Sequence, residues 1–163
     1  MLYIFSGLPA TGKSTLALGL AQVKHAVYVR VDTIEQALRE AGVAVEGASG
    51  YVVGYAVAAD NLRLGLSVVA DSVNPMKITR DAWRTVADQL QVPVIEIEVI
   101  CSDLTLHRHR VESRVVNIPE LKLPSWDQVV HREVEAWDRD HLVIDTAGHA
   151  PEDSLAQLLG MVG

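Results

Sequence analysis

Residues 7 to 14, Gly-Leu-Pro-Ala-Thr-Gly-Lys-Ser, restrict the possible folds of this chain more than any other stretch. They match GxxxxGK(S/T) at every defined position. They follow the apolar run Leu2 to Phe5 and open a segment with helical spacing, Ser14 to Val23, whose Leu16, Leu20 and Val23 share one stripe. Glycines here let the backbone turn so that several N–H groups converge on phosphate oxygens at a helix N-terminus, where the dipole favours negative charge. Lys13 can then reach the β and γ phosphates, and the Ser14 hydroxyl can ligate Mg²⁺. The competing reading is a Gly-rich turn that merely precedes a helix. Strand, loop, Lys-Ser pair and helix in succession argue against it.

The rest of the chain fits the same setting. Four further short β-rich runs, Ala26 to Val31, Ser67 to Ala70, Val92 to Cys101 and His141 to Ile144, are separated by segments of helical spacing. That alternation implies βαβ units and a parallel sheet. With 163 residues, 49% of them hydrophobic and 21% charged, the chain is expected to be a single domain, 1–163, with a real core. A net charge of −7 is the wrong sign for a domain that grips a nucleic-acid backbone. The single cysteine, Cys101, forms no internal disulfide and suits a reducing compartment, so a cytoplasmic location is expected. The apolar runs are too short to span a bilayer, and no membrane association is expected.

Two carboxylates stand at strand ends. Asp32 follows Ala26 to Val31 and Asp71 follows Val68-Val69-Ala70, where parallel strands deliver ligands to the crevice beyond their carboxyl ends. The plainer alternatives are an N-cap for a helix starting at Thr33 and a turn residue before Asn74-Pro75. Further on, Asp103 is a good N-cap for a helix with Leu104, Val111 and Val115 on one side. Arg110 and Arg114 share another face with His107, and Arg108 pairs with Glu112. Arginine forks suit bidentate phosphate contact, although a solvated charged face is the alternative. Ser125 with Gln128 has capping-box spacing, and Trp126, Val129, Val130, Val134 and Trp137 read as one helical stripe. Asn117 to Pro124 reads as a mobile loop between these two helices.

Weaker features point less far. His107 and His109 lack zinc-like partners, and Cys101 reads as a small buried residue. Tyr51 and Tyr55 read mainly as core, in a Gly- and Ala-rich helical stretch with Asn61-Leu62-Arg63 that flanks the acceptor side. Asn74, Arg80 and Trp83 either line an acceptor pocket or form a turn and a helix start.

The phosphate loop through Thr15, Asp32 after strand two, Asp71-Ser-Val-Asn, and Arg110 with Arg114 together resemble the small P-loop kinases. That group includes chloramphenicol phosphotransferase, gluconate kinase, adenylylsulfate kinase and the polynucleotide 5′-kinase domain, and its members are often labelled AAA-family ATPases. The resemblance runs from Leu2 to Asp145-Thr146-Ala147, a loop near the adenine in the family. It implies an α/β three-layer P-loop NTPase fold with a five-stranded parallel sheet in the order 2-3-1-4-5 and a helical lid at about 103–139. In that order Asp71 lies beside the phosphate loop, placed with Ser14 to organise Mg²⁺, and Asp32 lies further out as the acceptor-side base. The resemblance implies ATP as the nucleotide, held by Gly7, Pro9, Ala10, Thr11, Gly12, Lys13, Ser14, Thr15 and Arg110. Lys13, Asp32, Arg110 and Arg114 become the catalytic candidates, and the acceptor a hydroxyl of a small molecule. No substrate-specific motif of one member is present. A nucleotide or polynucleotide 5′-kinase, and a nucleotide-dependent switch or ATPase acting on a protein partner, stay open as alternatives, as do GTP use and the oligomeric state.

Overall fold

A computed structural model describes residues 1–115 and 118–163; Asn117, the first residue of the expected loop, lies outside the described residues. Among the described residues five parallel strands, β1 (Leu2–Ser6), β2 (Val27–Arg30), β3 (Val68–Asp71), β4 (Val94–Ile100) and β5 (Leu142–Asp145), form one sheet in the order β2-β3-β1-β4-β5. The helices are α1 (Lys13–Val23), α2 (Val31–Glu40), α3 (Ser49–Arg63), α4 (Lys77–Leu90), α5 (Leu104–Ser113), α6 (Trp126–Val130) and α7 (Pro151–Val162).

Two-residue alternation sorts the sheet into its two faces. Tyr3, Phe5 and Val69 pack with Leu16 and Leu20 of α1 and Leu158 of α7, whereas Leu2, Ile4, Val68 and Ala70 pack with Ala58 and Leu62 of α3 and Trp83 of α4. Helices on both faces make the three layers implied by the resemblance. The neighbouring strands β1 and β3 therefore send their following chains to opposite faces. A crevice opens between them at the carboxyl ends, where α/β sheets bind ligands.

Trp83 anchors the second face. It is fully buried, its ring meets Tyr55 edge-on at 4.6 Å, and the missing side chain of Gly54 leaves room for it. Trp83→Ala is expected to destabilise the fold by about 3–5 kcal/mol, read as a drop in denaturation midpoint without loss of two-state behaviour.

Several expectations are corrected. β2 ends at Arg30, its last residue paired with β3, and the chain turns directly into α2, so Arg30 takes the N-cap position and Asp32 lies within the first turn instead of capping it. β4 is shorter than Val92 to Cys101 at both ends. Val23 is half exposed; the buried face of α1 is Leu16, Ala17, Leu20 and Ala21. In α5 the buried residues are His107 and Val111, while Leu104, in the first turn, is exposed and Val115, two residues past the helix end, is 96% exposed, so the expected stripe is buried only at Val111. The capping box of Ser125 and Gln128 forms, yet α6 stops at Val130 and the lid is helical only in part. Residues 131–141 instead run as a strap whose backbone bonds elsewhere: Glu135 N–H donates to the Pro75 carbonyl and the Ala136 carbonyl accepts from Arg80. Trp137 stacks on His141 at 3.8 Å and lies 4.6 Å from the Arg80 guanidinium. Arg139 ties the strap to the buried Glu96 and to Asp81.

Candidate active site

The phosphate loop leaves β1 at Ser6 and enters α1 at Lys13. Gly7 adopts φ 143°, and a Cβ there would lie 2.3 Å from the Val99 carbonyl oxygen, which only glycine avoids. Gly12, at φ 95°, is the left-handed N-cap that turns the loop into the helix. Bonds from all sides fix its shape. Gly7 N–H donates to the Val73 carbonyl, Thr11 Oγ1 to the Leu8 carbonyl (3.0 Å) and Thr146 Oγ1 to the Thr11 carbonyl (2.7 Å). Buried His107 donates from Nε2 to the Pro9 carbonyl (2.8 Å), a backbone task its position in the sequence did not announce.

Behind the loop, Lys13 is 6% exposed and its ammonium pairs with Asp71 Oδ1. Asp71 is 1% exposed. Burial pushes its pKa up, but the Lys13 charge and bonds from Lys13, Tyr28 and Ser14 outweigh that and hold it below the ordinary carboxylate range. Tyr28 Oη donates to Asp71 Oδ2 at 2.6 Å, and burial together with that carboxylate drives the phenol well above its usual pKa. Arg30 stands between the two carboxylates singled out in the sequence, its Nε 3.8 Å from Asp71 Oδ2 and its Nη2 4.0 Å from Asp32 Oδ2. Tyr28 and Arg30 were both missed. Their signal was the two-residue spacing on β2, which puts them on the face that carries Asp71.

One cleft of about 1870 Å³ joins these groups. Pro9, Ala10, Gly12, Lys13, Ser14 and Thr15 line one part of it; Asp32, Arg110 and Arg114 also reach its wall. Gly7 and Thr11 turn away and back onto a smaller cavity lined by Cys101 and His107, and Asp71 lies beneath Lys13. Asp32 keeps its side chain 42% exposed. The two lid arginines separate. Arg110 donates from Nη1 to Thr146 Oγ1 (2.8 Å) and from Nη2 to the Thr146 carbonyl (3.2 Å), so it braces the loop after β5. Arg114 sits one residue past α5, half-buried. Its pKa is lowered by burial, against the opposing pull of Asp32, with Arg30 adding to the decrease. Asn74, Arg80 and Trp83 are buried and lie outside this cleft, a correction to the acceptor-pocket reading. Asn74 donates to the Phe5 carbonyl and to Ser6 Oγ, and Arg80 to the carbonyls of Asn74, Pro75 and Ala136. Tyr51 lines the cleft and accepts from Asn74 N–H, while Tyr55 packs on Trp83.

The family model for the AAA domain matches residues 2–132, most of the chain and all of the phosphate loop. The chain belongs to the AAA domain family. Solved structures share the fold of this AAA domain. Kti12 of Chaetomium thermophilum, determined with ADP-AlF3, is 22% identical at a TM-score of 0.71, with 99% of this chain and 97% of that chain covered. The APS kinase CysC of Mycobacterium tuberculosis, determined with AMPPNP and APS, is 13% identical at 0.68, covering 99% and 96%. A gluconokinase of Sinorhizobium meliloti 1021 is 14% identical at 0.63, covering 98% and 94%. No curated protein matches the chain. At these identities the likeness establishes the architecture of the AAA domain, that of P-loop nucleotide-binding proteins.

The arginines predict different phenotypes. Arg110→Ala releases Thr146 from its side-chain brace and should weaken nucleotide binding by about tenfold, the scale of one or two lost hydrogen bonds. Arg114→Ala should lower turnover more than nucleotide affinity. Nucleotide titration beside turnover measurements on both variants checks the split; identical profiles would show that the two arginines do one job.

Proposed function

We propose that this AAA domain is an ATP- and Mg²⁺-dependent kinase that transfers the γ-phosphoryl group to a hydroxyl of a small-molecule acceptor. The observation that carries the reading is the continuity of the cleft: it runs from the phosphate loop and Lys13 to Asp32, with Arg114 on its wall. The left-handed Gly12 and the N-terminus of the 11-residue α1 present a phosphate-sized nest beside Lys13. Ser14 and the buried, ionised Asp71 form a hard-oxygen pair that would hold Mg²⁺, which would supply positive charge against the phosphate oxygens.

In this reading the acceptor oxygen forms its bond to the γ-phosphorus as the β–γ bridging oxygen departs with the bonding electron pair on ADP. Asp32 takes the hydroxyl proton. Lys13 faces the charge on the phosphate oxygens, and Arg114 closes from the far side. The likeness in fold to a gluconokinase and an APS kinase supports a small-molecule acceptor by analogy. A single domain spanning 1–163 and a cytoplasmic location belong to the same reading; no helix among the described residues is long and apolar enough to cross a membrane.

Purified protein, ATP and Mg²⁺ presented with a panel of hydroxyl-bearing metabolites, nucleosides and antibiotics should form ADP only with certain acceptors. ADP formation that ignores every acceptor but rises with a protein partner would favour the switch reading instead.

A further inference from the structure

Asp71 is buried at the end of β3, and its two oxygens are used differently: Oδ1 faces Lys13, Oδ2 accepts from Tyr28 at 2.6 Å, and the Arg30 guanidinium waits 3.8 Å from that same Oδ2. Lys13 cannot serve Asp71 alone if it also binds phosphate. Whenever its ammonium turns toward a nucleotide, a carboxylate shut off from bulk water loses its nearest cation and must keep its other partners. Tyr28 is the partner that stays. Its ring is packed against the core around Phe5 and Leu16, so its hydroxyl is presented from a rigid strand, and it lines the cleft beside Ser14.

We infer that Tyr28 is a positioning residue for the metal-organising carboxylate: its hydroxyl pins Asp71 Oδ2 so that the carboxylate keeps Oδ1 toward Lys13 instead of closing the remaining 3.8 Å to Arg30. This rests on the nucleotide and Mg²⁺ reading above. Arg30 gives the inference its direction, because it reaches toward Asp32 as well and would draw a released Asp71 toward the acceptor side. A tyrosine used only for packing would need its ring and not its hydroxyl.

The test is equilibrium binding of a non-hydrolysable ATP analogue by calorimetry, with and without MgCl₂, on wild type, Tyr28→Phe, Asp71→Asn and the double variant. Tyr28→Phe keeps the ring. It should raise the Mg²⁺ concentration for half-maximal effect by about three- to tenfold, the scale of one ordinary hydrogen bond. Metal-free affinity should stay within twofold of wild type. In the Asp71→Asn background the tyrosine substitution should add nothing, since it acts through that carboxylate. A wild-type Mg²⁺ response in Tyr28→Phe overturns the inference alone, as does an equal additional loss in the Asp71→Asn background. A wild-type chain whose analogue affinity ignores Mg²⁺ overturns the metal reading and the inference with it.

Discussion

Lys13→Ala is expected to reduce phosphoryl transfer by roughly 10²- to 10³-fold or more, the scale of removing one preorganised charge from a developing oxyanion. The lysine is 6% exposed, its ammonium is already paired with a buried carboxylate, and its backbone opens the helix whose N-terminus faces the cleft. The same pairing predicts a structural cost. Removing Lys13 takes from the buried Asp71 its nearest cation and leaves it Tyr28, Ser14 and the more distant Arg30, so stability should fall by about 1–3 kcal/mol while the fold persists. Acceptor-dependent ADP formation beside a denaturation curve reads both effects. Turnover within a few-fold of wild type would end the phosphate-loop assignment.

Asp32→Asn should act on the other half of the cleft. Transfer to the acceptor is expected to drop by roughly 10²-fold or more, the range for losing a positioned general base, with Mg·ATP affinity nearly unchanged. Three observations support the assignment: Asp32 lies within the first turn of α2 and does not cap it, its side chain is 42% exposed on the wall of the cleft, and Arg30 stands 4.0 Å from it. Mg·ATP titration and acceptor turnover on the variant separate the outcomes. Full turnover would leave Asp32 a surface residue; lost Mg·ATP binding would move it to the metal and reverse its role with that of Asp71.

The parts of the molecule that were legible in the chain were those set by local backbone demands. A loop that must turn through left-handed conformations at Gly12 and approach Val99 closely at Gly7 cannot hide its glycines, and the strand before it and helix after it are fixed by the same geometry. The strand order came from resemblance, since no short-range pattern encodes which strand lies beside β1. What stayed illegible was decided by distant partners. Trp137 has helical spacing from Trp126, but it is held by the Arg80 guanidinium and His141, and the backbone around it bonds to Pro75 and Arg80, so the stripe never becomes a helix. Val115 fits an apolar stripe in α5 and faces solvent because the chain has already left the helix. Arg110 and Arg114 look equivalent at a spacing of four, yet Thr146, brought in from beyond β5, claims only Arg110. Tyr28 and Arg30 gained meaning only once β3 was paired beside β2, with Arg30 opposite Asp71.

In the proposed reaction one cleft brings a nucleotide phosphate and an acceptor hydroxyl together between Lys13 and Asp32. Its most direct test follows the label from γ-phosphate-labelled ATP with Mg²⁺ and an acceptor found by the ADP assay. Label is expected on an alcohol oxygen of the acceptor, one phosphoryl group for each ADP formed, with that product lost in both Lys13→Ala and Asp32→Asn. Label recovered only as inorganic phosphate, whatever hydroxyl compound is supplied, would contradict it.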